Sequence, residues 1–148
     1  MSSTTIKLGR NASINRNTGS YGAPVWVLVD NVRNCKVPAK KKTDDASIRA
    51  QAPYALIAGT MIDFGLNFNM NEDPSDTSWT ALQGSFLNFT AIELLVLNGP
   101  NSSGSQGWRA SFEVTDFSDG QDIDKVQTTD VECKPTISAN KPAWFTVP

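Results

Sequence analysis

Residue types that could perform chemistry are scarce in this chain. The sequence contains no histidine, so neither a Ser–His nor a Cys–His catalytic pair can form. It also lacks a glycine-rich phosphate loop between a strand and a helix. The sequence therefore predicts no catalytic residue, no cofactor and no enzyme. A small enzyme that works through paired carboxylates in a cleft stays open as an alternative.

Metal ligation is also disfavoured. The spacing of four aspartates does not fit an EF-hand calcium loop, because no helices flank them and the terminal glutamate is missing. Zinc is disfavoured because the chain has two cysteines, Cys35 and Cys133, and no histidine. We expect no metal site and two free thiols buried on separate strands, with a disulfide as the alternative. The four aspartates are Asp116, Asp119, Asp122 and Asp124.

The longest alternating pattern lies at the centre of the chain. From residue 60 to residue 70, apolar side chains occupy one parity and polar side chains the other. Since successive side chains of a strand point to opposite faces, this predicts one strand with one apolar and one solvated face. The apolar members are Ile62, Phe64, Leu66, Phe68 and Met70.

A helix is predicted directly after this strand, at about 73–88. Asp73 can cap its N-terminus and Pro74 suits its first position. Apolar residues at spacings of three and four form a stripe that must be buried, and the apolar face of the 60–70 strand is its expected partner. The stripe consists of Trp79, Leu82 and Phe86, extended by Phe89.

Further β patterns occur on both sides of this centre. Strands are predicted over 9–16, 25–32, 92–97, 108–117 and 123–135, with the first two forming a hairpin. The polar loop 98–107 and the C-terminal tail 138–148 complete the chain. The sequence thus predicts a single mostly β domain, 1–148: a β-sandwich or barrel-like sheet with one flanking helix and long loops.

One long segment, 38–53, interrupts the pattern. It carries a basic block, Lys40, Lys41 and Lys42, followed by Asp44 and Asp45, and it has no core pattern. Long loops of this kind inside a compact domain are usually functional or disordered. We expect either an arm that grips another subunit or a mobile, solvated loop.

Charge is divided unevenly along the chain. The net charge is −2, which implies no general attraction to nucleic acid or anionic membranes. Residues 1–50 contain nine basic and three acidic residues, whereas 51–148 contain four basic and twelve acidic ones. Such a division suits complementary contacts between copies of the chain, although chance scatter of surface charge would give it too.

Targeting signals are not evident. The first seven residues contain no apolar run, so the sequence predicts no signal peptide. The longest apolar segment, 91–97, is too short to span a membrane. We expect a protein that is made and kept in a cytosol, without membrane contact, unless another route exports it.

Several short runs follow one another in a characteristic order. They are Arg-Asn-Ala at 10–12, Tyr-Gly-Ala-Pro-Val-Trp at 21–26, Asn-Glu-Asp-Pro at 71–74, Ile-Glu-Leu at 92–94, Gly-Trp-Arg-Ala-Ser-Phe-Glu-Val at 107–114, Lys-Pro-Thr at 134–136 and Ala-Trp-Phe at 143–145. Together they resemble a siphophage-type tail tube protein, also called major tail protein. The resemblance covers nearly the whole chain but maps the 38–53 segment poorly.

The resemblance implies a structural virion protein with no enzyme activity. Six copies would form a ring, and stacked rings would form a tube lined by β-strands, through which genome DNA passes on ejection without specific binding. Its partners would be further copies, the tape measure, the tail terminator and the distal tail protein. It would be assembled in the bacterial host cytoplasm and located in the virion tail. The alternative class is an exported or cytosolic β-sandwich binding module, for example for glycans.

The resemblance also directs attention to acidic residues on the solvated strand faces. We expect Asp63, Glu113, Asp130 and Glu132 to line the lumen of such a tube and to repel phosphate weakly. Strand parity identifies a polar face but not what it faces, so outer solvent or a subunit contact is the alternative. The intersubunit arm candidates are Lys40, Lys41, Lys42, Asp44 and Asp45.

Overall fold

The computed structural model describes residues 6–148; residues 1–5, where the sequence predicts no signal peptide, lie outside this range. The described chain contains ten strands and one α-helix, α1 (Thr77–Asn88), with short 3-10 turns at Gly9–Asn11 and Arg49–Gln51. The strands are β1 (Ser13–Asn17), β2 (Trp26–Leu28), β3 (Val32–Lys36), β4 (Ala39–Asp45), β5 (Ile57–Phe64), β6 (Leu66–Asn71), β7 (Ile92–Leu97), β8 (Gln106–Gly120), β9 (Thr128–Pro135) and β10 (Ala143–Thr146).

Eight strands form one antiparallel sheet, and β4 and β5 form a separate hairpin. The sheet order is β2-β1-β7-β8-β9-β6-β3. Strand β8 is long enough to pair with β7 and β10 along its first half and with β9 along its second half. In the described residues the sheet is not closed into a barrel. The predicted fold class, mostly β with one flanking helix, is confirmed.

The core lies between one face of this sheet and the helix. It is built from the apolar parity of the central strands, including Leu66, Met70, Leu94 and Phe112. Helix α1 packs on β8 and buries Trp79 and Leu82 against it. Two contacts position the Trp79 indole: its Nε1 donates to the Thr129 hydroxyl at 3.1 Å, and its ring centroid lies 5.5 Å from that of Phe117.

The helix begins later than predicted. Asp76, not Asp73, is the N-cap, and its carboxylate accepts a hydrogen bond from the Ser78 amide at 3.0 Å. Asp73 instead accepts from the amide and the hydroxyl of Ser75 in the preceding turn, which also lowers the pKa of its carboxyl. Both aspartates thus make an Asx interaction near the start of the helix, and the sequence alone does not show which of them is the N-cap.

The apolar stripe of the helix ends earlier than predicted. Phe86 is 36% exposed and Phe89 is 83% exposed, whereas Trp79 and Leu82 are buried. Phe89 adopts a left-handed backbone conformation, with φ of 55°, at the C-cap. This conformation ends the helix, and the chain enters β7 of the main sheet three residues later. The prediction that the stripe continues into the core through Phe89 is therefore wrong.

The predicted strand 60–70 is two strands in two different sheets. The break is at Gly65, whose amide donates to the Pro38 carbonyl at 3.0 Å. Before it, β5 leaves the domain with β4 as its partner; after it, β6 enters the main sheet between β3 and β9. The apolar side chains of the alternating pattern are buried from Phe64 to Met70, but that of Ile62 is exposed on the hairpin.

Other strand boundaries differ from the sequence prediction more modestly. Strand 92–97 and the β1–β2 hairpin are confirmed. The predicted strand 9–16 begins as a 3-10 turn, and the predicted strand 123–135 begins only at Thr128. The predicted strand 25–32 contains the whole of β2, a turn and the first residue of β3. The rest of β3 was missed because its residues are mostly polar and exposed.

We predict that Leu82→Ala lowers the free energy of unfolding by about 2–5 kcal/mol, because a fully buried side chain leaves a cavity between α1 and the sheet. Leu87→Ala is the matched control, since Leu87 lies on the same helix and is 62% exposed. Its effect should stay within about 0.5 kcal/mol. Urea unfolding followed by circular dichroism measures both; equal losses would contradict the placement of the helix.

Candidate functional site: a polar sheet face and an exposed arm

The face of the sheet away from the core is polar along four neighbouring strands. Rows of paired residues cross β3, β6, β9 and β8 on this face. They form the floor of a shallow, open depression of about 320 Å³. We name it the polar sheet face; its side chains are those of Asn34, Lys36, Asn67, Asn69, Asp116, Asp130 and Glu132.

Three of the four predicted lumen residues lie together here. Asp130 and Glu132 occupy alternate positions of β9, and Glu113 lies at the margin of the face, opposite Lys134. Two of the three carboxylates accept hydrogen bonds from neighbouring side chains: the Asn69 amide donates to Asp130, and the Thr136 hydroxyl donates to Glu113 at 3.3 Å. The prediction that these residues belong to a solvated sheet face is consistent with this placement.

A β-bulge adds a residue that the sequence prediction missed. The pairing of β8 with β9 shifts between Val114 and Asp116, which leaves Thr115 as an extra residue whose hydroxyl donates to the Glu132 carbonyl at 3.1 Å. The shift reverses the parity of the strand. Asp116 therefore joins the same face as Glu113, although simple alternation from Trp108 onward would place the two on opposite faces.

Asp63 does not belong to the polar sheet face. It lies on β5, directly opposite Lys40 on β4, in the separate hairpin. Asp63 therefore lies on the arm and not among the paired residues of the polar sheet face, because the chain leaves the main sheet at Gly65. Its parity continued that of Asn67 and Asn69, so the pattern alone gave no sign of the break.

The β4–β5 hairpin forms an arm, residues 39–64, that stands out from the domain. Each residue of β4 is exposed, as is each residue of β5 up to Asp63. The segment 38–53 is thus not an unpatterned loop, because its first half is a strand paired with β5. The five arm candidates, Lys40, Lys41, Lys42, Asp44 and Asp45, all lie on β4.

The base of the arm is fixed, in contrast to its exposed length. Phe64 is buried and stacks on Trp108 with ring centroids 4.5 Å apart. It also meets the edge of Phe112 at 6.0 Å. Large apolar side chains nevertheless remain exposed along the arm: Ile48, Tyr54, Ile57, Met61 and Ile62. A two-stranded hairpin with no covered apolar face is only marginally stable in water, so covering these side chains would stabilise the arm.

A buried ion pair connects several of the segments on which the family resemblance rests. The Arg109 guanidinium donates to Glu93 at 2.6 Å and to the Tyr21 carbonyl at 2.8 Å. It lies under aromatic rings, with its central carbon 3.9 Å from the Tyr21 ring and 5.7 Å from that of Phe145. This contact holds the loop before β2 and strand β10 against the sheet.

The two cysteines differ in environment. Both thiols are free, as predicted, and they lie on β3 and β9. Burial raises the pKa of Cys133 to about 12, with a smaller contribution from the charge of Glu132, so this thiol stays protonated and unreactive at neutral pH. Cys35 is exposed, which contradicts the expectation that both are buried, because β3 is an edge strand.

The described part of the chain contains neither a convergent metal-ligand cluster nor a membrane-spanning helix. Within residues 6–148, no three acidic, cysteine or histidine side chains converge as a metal site would require. Asp116 faces the polar sheet face, while Asp122 and Asp124 lie in the exposed loop after β8. None of the helices in this range is both long and apolar enough to cross a membrane.

Comparisons with known proteins find matches among solved structures but not among sequences. No protein-family model matches the sequence, and no curated protein matches it. The tail of an empty gene transfer agent particle, refined with C6 symmetry, has a TM-score of 0.71 at 14% identity, covering 97% of this chain and 100% of that one. The SPP1 tail tube has a TM-score of 0.72 at 5% identity, covering 88% and 76%.

A third similar structure comes from a baseplate. The anti-feeding prophage baseplate matches with a TM-score of 0.62 at 10% identity, covering 99% of both chains. The chain therefore has the fold of the phage tail tube proteins, along nearly its whole length.

Proposed function

We propose that this protein is the structural subunit of a tail tube. Six copies form a ring, rings stack into a tube, and double-stranded genome DNA passes through the tube on ejection. The observation that carries the proposal is the exposed arm on a domain of the tail tube fold, since its apolar side chains are uncovered in the single subunit. The C6 symmetry of the similar gene transfer agent tail supports six copies in a ring.

The polar sheet face suits the wall of a conduit for DNA. It carries Asp116, Asp130 and Glu132 against Lys36, a net charge of −2 in each copy. Repeated around a ring, these carboxylates repel phosphate within about 8–10 Å, so that DNA slides rather than sticks. In this proposal Glu113, Asp130 and Glu132 line the lumen, and Asp63 belongs to the arm instead.

The proposed setting follows from this role. The protein is assembled in the host cytoplasm and becomes part of the virion tail, in a siphovirus-type or related particle. Its partners are other copies, the tape measure, the tail terminator and the distal tail protein. It has no catalytic function.

We predict that the purified protein forms rings or tubes when it is concentrated. Covering the apolar side chains of the arm drives this association, so assembly should rise steeply above a threshold concentration. Negative-stain electron microscopy and sedimentation velocity measure it. A protein that stays monomeric at high concentration, even with a tail initiator complex, would contradict the proposed function.

A further inference from the structure

Three connections gather at one end of the sheet, where β6 and β8 end and β9 begins. They are the β2–β3 turn, the segment before α1 and the β8–β9 loop. The Asn31 carbonyl accepts from the Asn71 amide at 3.0 Å, the Gln127 carbonyl accepts from the Glu72 amide at 3.0 Å, and Asn31 donates to Asp76 at 2.8 Å.

This end is strongly acidic. Its connections hold six carboxylates and one lysine, a net charge of −5: Asp30, Glu72, Asp73, Asp76, Asp122 and Asp124 against Lys125. We name it the acidic end. Two apolar side chains, Ile123 and Val126, lie in its outermost loop and are exposed. A partner docked at this end would therefore cover apolar as well as charged surface.

The opposite end of the same strands, at the base of the arm, is basic. Five lysines lie there against Asp63 and Glu113, a net charge of +3: Lys36, Lys40, Lys41, Lys42 and Lys134. The strand pairing brings them together, because Lys36 leads into the arm, Lys40 lies opposite Asp63, and Lys134 lies opposite Glu113. We name this surface the basic root; all five lysines are exposed.

The two surfaces are too far apart to neutralise each other within one subunit. Strand β9 runs from the acidic end at Thr128 to the basic root at Pro135. Seven residue steps of ~3.3 Å separate these residues, a distance of about 23 Å. This is more than twice the Debye length of about 8 Å at physiological ionic strength. The subunit therefore carries opposite net charges at the two ends of its strands, negative at the acidic end and positive at the basic root.

We propose that the acidic end of one copy docks on the basic root of a second copy. The inference rests on the proposed function and names the two surfaces that meet when subunits stack. A contact between two different surfaces of identical chains repeats in one direction, and it generates an open stack when the rotation between successive copies does not close. Like ends repel, which prevents subunits from pairing head to head or tail to tail. Charge thus fixes one polarity for the whole tube.

Two charge-reversed variants test this docking. The end variant combines Asp30→Lys, Asp122→Lys and Asp124→Lys, which changes the acidic end from −5 to +1. The root variant combines Lys41→Glu and Lys42→Glu, which changes the basic root from +3 to −1. Each variant alone then brings like charges together. We expect each to raise the threshold concentration for tube growth at least about tenfold, a change of about 1.4 kcal/mol in each contact.

Mixing the two variants gives the decisive measurement. The positive end of one faces the negative root of the other, and the remaining pair of surfaces keeps its natural charges. We expect the equimolar mixture to form tubes within about threefold of the wild-type threshold, as measured by sedimentation and electron microscopy. Lys7→Glu with Lys141→Glu is the matched control, because both residues are exposed and lie outside the two surfaces.

The possible outcomes separate this inference from the proposed function. If the wild type forms tubes and both variants do so equally well, or if the mixture fails to restore growth, the docking assignment is wrong while the tail tube function stands. If the wild type remains monomeric, both are wrong. Circular dichroism of each variant establishes that it is folded before assembly is measured.

Discussion

Removing the arm is expected to abolish tube assembly and leave a folded, soluble subunit. The change replaces residues 40–63 with an Asn-Gly turn between Ala39 and Phe64, which face each other across the base of the hairpin. A two-residue type I′ turn joins paired strand residues without strain. The buried anchor Phe64 and its stack on Trp108 are retained, so the core should lose little.

The expected loss of assembly is large because the arm carries the uncovered apolar side chains. We expect the threshold concentration to rise more than about 100-fold, which corresponds to about 2.8 kcal/mol or more for each subunit contact. The melting temperature of the isolated subunit should change little. Sedimentation velocity and electron microscopy measure assembly, and thermal unfolding measures the stability of the subunit.

Point variants within the arm provide the matched comparison. Met61→Ser with Ile62→Ser removes two exposed apolar side chains while the hairpin keeps its backbone pairing. This should weaken assembly substantially. Met61→Leu with Ile62→Val keeps the apolar area and should assemble nearly as the wild type does. Normal tubes from the protein without an arm would show that the arm is not an intersubunit contact.

The arm also illustrates how far the sequence alone could lead. Its basic block and lack of core pattern correctly singled out the segment, but the parity from Ile62 to Met70 predicted a single strand there. Local periodicity records which side chains alternate, not which strand they pair with. Only the tertiary contacts at Gly65, with the Pro38 carbonyl on one side and Cys133 on the other, determine that the chain changes sheets.

The polar sheet face was predicted better, for a physical reason. Glu113, Asp130 and Glu132 lie on strands buried on their other side, so the hydrophobic pattern fixes which way they point. Asp116 was missed because a bulge is an insertion in the pairing and leaves no clear mark in a single sequence. The burial of Arg109 could not be predicted from the sequence, since its aromatic cover comes from residues far away in the chain.

The largest functional effect is expected from reversing the charge of the polar sheet face. Asp116→Lys with Glu132→Lys changes its net charge from −2 to +2 in each copy. In a ring of six copies, the total charge of the face therefore changes by +24. Because these two residues lie opposite each other on β8 and β9 and away from the arm and the acidic end, the variant should still fold and assemble.

Such a wall would hold DNA instead of repelling it. Each lysine that neutralises a phosphate releases counterions, so binding should be strong at low salt and should weaken steeply as salt is added. We expect DNA delivery by particles carrying the variant to fall at least about tenfold, since each contact must be broken as the DNA moves. DNA released per particle is the primary measurement, and its recovery at higher salt tests the electrostatic cause.

Two comparisons make this result specific to the face. Asp116→Asn with Glu132→Gln removes the repulsion without adding attraction, so delivery should fall much less than in the reversed variant. Asp63→Lys lies on the arm, so it should act through assembly and leave delivery by completed particles unchanged. If reversed particles deliver DNA as well as the parent, or if DNA coats the outside of the variant tubes in electron micrographs, the polar sheet face does not line the lumen.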